Sequence, residues 1–145
     1  MSPRRLAALL AGVTLALVLS VAAKARDDYP TWRLIGKFGI VRTVYVSRPG
    51  LKDRTFMAQV LQGVVNEAPG PGGAVMIMIF DDPRFTPRAF PMTDAQMRHL
   101  RAQYNRNPRS GLDKFVWIKI TNPKASPPEL REIPDPKIRP GFAED

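Results

Sequence analysis

Seven apolar residues in succession, Ala74-Val75-Met76-Ile77-Met78-Ile79-Phe80, stand between the breaker Pro69-Gly70-Pro71-Gly72-Gly73 and the abrupt polar stop Asp81-Asp82-Pro83. A run of this length without polar alternation reads as a strand covered on both faces, and it is too short to cross a bilayer. The remaining sequence must therefore supply covering layers for a central strand.

On the N-terminal side, residues 34–47 carry a strand signal that is strongest from Ile40 to Val46, with Gly36 and Gly39 marking a bend. Arg48-Pro49-Gly50 is turn chemistry, and Asp53 stands where a helix cap is wanted. Phe56, Met57, Val60, Leu61, Val64 and Val65 then recur at three- and four-residue spacing, which predicts an amphipathic helix to about Asn66. On the C-terminal side, Thr93 and Gln96 form a capping box. Met97, Leu100 and Tyr104 then give a second helix its apolar stripe, ending near Asn107-Pro108. Residues 114–121 read as a third strand, and the proline-rich segment 122–145 as an extended tail lying on the domain or trailing from it. The expected fold class is α/β: one small β-α-β-α-β domain over residues 26–121 with a three- to four-stranded sheet, behind an N-terminal signal helix.

That signal occupies residues 1–25. Arg4 and Arg5 precede the uncharged run of residues 6–21, and Ala23-Lys24-Ala25 offers small residues at both positions read by signal peptidase. Cleavage after Ala25 is the preferred expectation; the alternative is an uncleaved anchor, since the run would reach about 24 Å against a hydrocarbon core of about 30 Å. Either way the charge asymmetry sends residue 26 onward across the membrane, so a periplasmic or secreted location is expected. Loss of Arg4, Arg5 and Lys24 leaves a formal net charge of +9 smaller but still positive. Outside the cytoplasm the partners suited to such a chain are an anionic envelope component or an acidic protein surface. Nucleic acid is not expected, and residues 6–21 supply a means of membrane association if they are retained.

The sequence Phe80-Asp81-Asp82, with Pro91-Met92-Thr93-Asp94-Ala95-Gln96, Tyr104-Asn105-Arg106-Asn107-Pro108, Gly111 and Trp117, resembles a pattern found in small exported bacterial proteins of unknown function. The resemblance spans residues 34–121. It implies an exported α/β domain and no particular activity.

No cysteine is present, which excludes disulfide frameworks, thiolate metal sites and thiol nucleophiles, and a single histidine excludes multi-histidine zinc sites within one chain. Asp81 and Asp82 are the catalytic candidates, because paired carboxylates at the carboxyl end of a central strand suit a hard cation or a general base. Turn capping by Asp82 before Pro83 is the preferred reading. A Mg²⁺ or Ca²⁺ site would also need Asp53, Asp94 or Asp113, and neither metal nor cofactor is assigned. His99 is expected in the second helix beside its apolar stripe, and no Gly-x-Ser-x-Gly elbow supports serine hydrolysis.

Arg84, Arg88, Arg98, Arg101, Arg106 and Arg109 fall in a stretch with Asp94 as the one acidic residue. Of these, Arg84, Arg88, Arg98 and Arg101 are the binding candidates, since a guanidinium fork matches carboxylate and phosphate. Gly70, Gly72 and Gly73 lead from a helix into a strand, opposite to a phosphate loop, and read as a connector. The expected function is a non-catalytic exported binding or accessory module. Its contact surface is expected at the carboxyl ends of the strands, in loops 47–53, 81–92 and 121–123, and on the arginine-rich second helix. One alternative is an enzyme acting on an anionic substrate through Asp81 or Asp82; another is an accessory subunit of a membrane complex anchored by residues 6–21.

Overall fold

The computed structural model describes residues 28–142, so the expected signal segment 1–25 lies outside the described residues. The expected three- to four-stranded β-α-β-α-β domain is not what forms. The chain builds one six-stranded mixed sheet in which every strand lies beside its sequence neighbours, in the order β1 to β6. β1 (Trp32–Phe38) and β2 (Val41–Val46) form a hairpin. The two-residue loop Gly39-Ile40 uses Gly39 at φ 56°, a left-handed conformation that glycine adopts without strain. What reads as one strand over 34–47 is therefore two.

A single turn, α1 (Arg48–Leu51), follows β2 and leads to the long helix α2 (Arg54–Glu67). Asp53 caps α2 by accepting from the Phe56 amide at 2.9 Å. α2 crosses over the sheet to β3 (Val75–Phe80), which pairs in parallel with β2. At the far end of α2, buried Arg42 donates from Nε to the Ala68 carbonyl at 2.8 Å and from Nη2 to Pro69 at 3.2 Å. Its Nη1 donates to Gly39 at 2.6 Å and to Val41 at 3.0 Å. This guanidinium takes up carbonyls at the helix end that have no partner within the helix, and it pins them to the β1–β2 turn.

The second helix is also corrected. The capping box of Thr93 and Gln96 forms, but the helix it starts, α3 (Asp94–Met97), stops after one turn. Leu100–Asn107 is strand β4, antiparallel to β3 on one side and to β5 (Leu112–Asn122) on the other. The spacing of Met97, Leu100 and Tyr104 suits a helix, yet Ala102 and Tyr104 also alternate with Arg101, Gln103 and Asn105. Two neighbouring strands satisfying the backbone on both sides decide in favour of period two. Residues 129–134, expected within a tail, form edge strand β6 (Glu129–Pro134), antiparallel to β5. Its prolines sit before the strand or at its last position, where an edge tolerates a missing donor.

Each face of the sheet has its own cover. On one, Met57, Val60, Leu61 and Val64 of α2 pack on Val44, Val46, Ile77, Ile79, Ala102, Tyr104 and Phe115. Ile138, from the segment after β6, completes this cluster and is 1% exposed. That segment is tethered by Asp135, whose Oδ2 accepts from Trp117 Nε1 at 3.1 Å and pairs with Arg54 Nε at 3.3 Å. On the opposite face, Met78, Phe80, Leu100, Val116 and Ile118 form a second cluster, against which Met92 packs. Loop 81–92 folds over it: the Thr43 hydroxyl donates to the buried Pro87 carbonyl at 2.7 Å, and Phe90 meets Phe38 edge-on at 5.1 Å. β3 is thus covered on both faces, as its unbroken apolar run requires.

Two stability measurements follow. Ile138→Ala, which opens a cavity between helix and sheet, lowers unfolding free energy in urea by about 2–5 kcal/mol. Burial, followed by the hydrogen bond and charge of Asp113, pushes the Tyr104 hydroxyl well above its ordinary value, with Arg106 opposing. The folded state therefore holds this proton where the unfolded chain has released it, and stability from Tyr104 is full below about pH 10 and falls above it. Tyr104→Phe costs about 1 kcal/mol at neutral pH, and the gap to the wild type narrows as pH rises beyond 10.

Candidate functional site

Because β2 and β3 are parallel, their carboxyl ends lie side by side. β4 begins at the same end of the sheet, and β5, antiparallel to β4, finishes there. Asp81 directly follows β3, and its amide donates to the His99 carbonyl at 3.1 Å, carrying the β3–β4 pairing one step past the strand. The register is irregular here, since Ile79 faces Ala102 while Phe80 faces Leu100, leaving Arg101 as an extra residue. A bulge of this kind re-aims a side chain. Arg101 Nε lies 2.9 Å from Asp81 Oδ2.

Asp81 Oδ1 is 2.7 Å from His99 Nδ1, so the carboxylate is shared between an imidazole and a guanidinium. The imidazole stacks on Phe85 with 4.3 Å between centroids and 8° between planes. An ionised carboxylate can only accept, so Nδ1 carries the proton in this contact and the neutral ring presents Nε2 as an acceptor. Nε2 has no hydrogen-bond partner among the described residues. His99 is half-buried, and no buried side-chain nitrogen or oxygen there lacks a partner, so Nε2 reaches the surface.

Asp82 points elsewhere. It accepts from the Arg84 amide at 2.9 Å and from Arg84 Nε at 3.1 Å through Oδ1, and from Nη2 at 2.7 Å through Oδ2, capping the 3-10 turn Pro83–Phe85. These hydrogen bonds lower its pKa to about 2 against the opposing effect of burial, aided by the charges of Arg84 and His99. A carboxylate so fully engaged is a poor general base near neutrality. The Arg84 guanidinium lies over the Phe85 ring, 5.7 Å from its centroid, so one phenyl ring contacts both Arg84 and His99.

A cleft of about 490 Å³ opens beside these residues, lined by Tyr45, Ser47, Arg48, Asp81, Asp82, Pro83 and Arg84. The Ser47 hydroxyl is already committed, accepting from the Thr31 amide at 2.9 Å and donating to the Tyr29 carbonyl at 3.2 Å.

The six arginines grouped in the sequence do not form one surface. Arg84 and Arg101 bracket the two aspartates, and Arg98 donates from Nε to the Pro123 carbonyl at 2.8 Å, joining the third loop to the same end. Arg98 and Arg101 share no helix face, because one ends α3 and the other lies in β4. Arg88 is exposed on loop 81–92. Arg106 pairs with Val75 at the opposite end of the sheet, and Arg109 lies beyond it. The supporting ligands considered for a metal are dispersed as well: Asp53 caps α2, Asp94 bonds Ser126, and Asp113 accepts from Tyr104. Among the described residues no three acidic, histidine or cysteine side chains converge.

Reading the sequence missed the pairing of His99 with Asp81, because it placed His99 inside a helix. The period-two alternation of residues 100–106 was the available signal: a strand there would return antiparallel to β3 and set residue 99 against residue 81. Comparison with family models, curated proteins and solved structures gives no match.

The Asp82 contact predicts acid behaviour. With its folded-state value lowered, its contribution to stability is present above the ordinary carboxylate value near 4 and lost as pH falls toward 2. In acid unfolding curves the difference between wild type and Asp82→Asn should therefore shrink across that interval.

Proposed function

We propose that this chain is an exported binding or accessory module that captures an anionic group, a phosphate or carboxylate carried by an envelope component, at the carboxyl ends of β2 and β3. The supporting observation is the charge balance of the cleft. Asp82 is neutralised by Arg84 and Asp81 by Arg101, with His99 donating a hydrogen bond to it, so neither acid opposes an incoming anion strongly, and exposed Arg48 adds a further cation at the rim. Arg84 keeps most of its surface open, with a side chain 80% exposed, so its guanidinium can meet a ligand without breaking its contact to Asp82. The contact surface is this rim and not an arginine-rich helix. Export is the reading of residues 1–25, and the N-terminal residue of the native protein, Arg26 if this segment is removed, separates a released domain from an anchored one.

The binding test uses inorganic phosphate and vesicles containing phosphatidylglycerol. Amide shifts during phosphate titration should centre on residues 45–48 and 81–85, weaken with added salt, and require about tenfold more phosphate in the Arg48→Gln, Arg84→Gln double variant. The vesicles should retain the wild type more than zwitterionic phosphatidylcholine vesicles, which have no net charge, do. Shifts confined to the β4–β5 turn, or none at all, reject the proposal.

A further inference from the structure

His99 is the one histidine in the sequence, and the fold treats it unlike an incidental surface residue. Three elements fix it: Asp81 after β3 holds Nδ1 at 2.7 Å, Phe85 in the following turn stacks on the ring, and Arg101 in β4 secures the other oxygen of Asp81 at 2.9 Å. Oriented and confined to one tautomer, the ring leaves Nε2 accessible and without a protein partner, and Asp81, which holds the ring, lines the cleft bordered by Arg84 and Arg48. We infer that the Asp81–His99 pair is a proton-accepting catalytic site acting on a phosphate monoester whose phosphoryl group is held by Arg84 and Arg48. This rests on the anion-binding reading above and adds a reaction to it.

The step balances without a metal or co-substrate. For p-nitrophenyl phosphate as probe, a water oxygen bonds to phosphorus while one of its protons passes to Nε2. The bond from phosphorus to the phenolic oxygen breaks, and that oxygen keeps the electron pair. Hydrogen phosphate and p-nitrophenolate leave, and the imidazolium returns its proton to solvent. Asp81 holds the ring and stabilises the transient imidazolium without taking the proton itself, which makes it a positioning residue. The arginines offset charge building on the phosphoryl oxygens.

The test is release of p-nitrophenolate by the full chain, together with histidine ¹⁵N spectra, which contain a single side-chain system. The expected results are measurable turnover in the wild type and a kcat lower by about 10²–10⁴-fold in His99→Gln and His99→Asn. For Asp81→Asn, kcat falls by at least about tenfold with KM held within about twofold, and the neutral ring loses its preference for the Nδ1–H tautomer. Thermal unfolding of each variant separates these effects from misfolding. Wild-type protein that binds phosphate but releases no phenolate overturns this inference and leaves the binding function standing. Turnover that persists in a folded His99→Gln variant also overturns it, as does an Nε2–H tautomer in the wild type. Failure to bind phosphate removes both.

Discussion

The parallel pairing of Val41–Val46 with Val75–Phe80 is the constraint from which most of this architecture follows. Two parallel neighbours need a crossover, and the crossover here is a fourteen-residue helix that must lie across one face of the sheet. Its length and apolar stripe bury β2, β3 and β4 from that side. The chain leaves β3 at the same end at which it left β2, so the segment after β3 is free to fold over the opposite face. Buried Arg42 fixes the lower boundary of this unit by joining the helix end to the first hairpin. The remaining pairings are antiparallel and between sequence neighbours, closed by short loops except for the connection 81–99 between β3 and β4.

At the upper boundary the same constraint gathers charge. Adjacent acids at the end of a buried strand cannot both go without partners, and the chain answers them separately. Asp82 is satisfied within its own turn by Arg84, two residues on. Asp81 is satisfied across the sheet by His99 and Arg101, residues that the β4 bulge brings to it. The first contact is local turn chemistry with a guanidinium added, whereas the second ties two strands and a loop into one rigid corner. An imidazole held this way keeps its ring fixed while its free nitrogen faces water, the arrangement on which proton transfer depends.

Much of the N-terminal half was legible in the sequence because its signals are local. Asp53 as a cap, the apolar stripe from Phe56 to Val64, and the uninterrupted run before Asp81 each depend on neighbouring residues alone. The C-terminal half was read incorrectly where two periods overlap. Met97, Leu100 and Tyr104 satisfy helical spacing, and a valid capping box at Thr93 reinforces it; only the vacant edges of β3 and β5, which no local window contains, show that residues 100–107 must be extended. Proline density hid β6 in the same way, since Pro127, Pro128 and Pro134 flank or end the strand instead of interrupting it. The site was half legible: loop 81–92 and both aspartates lie where strand ends collect, but the partner of Asp81 depended on the misread strand.

Ile138 and Asp135 come after the last strand, outside every helix and strand, yet one fills the gap between helix and sheet and the other joins Arg54 of the helix to Trp117 of β5. A proteolytic cut between β6 and Ile138 would therefore unseat this wedge and loosen the long helix from the sheet while leaving every strand and helix unbroken.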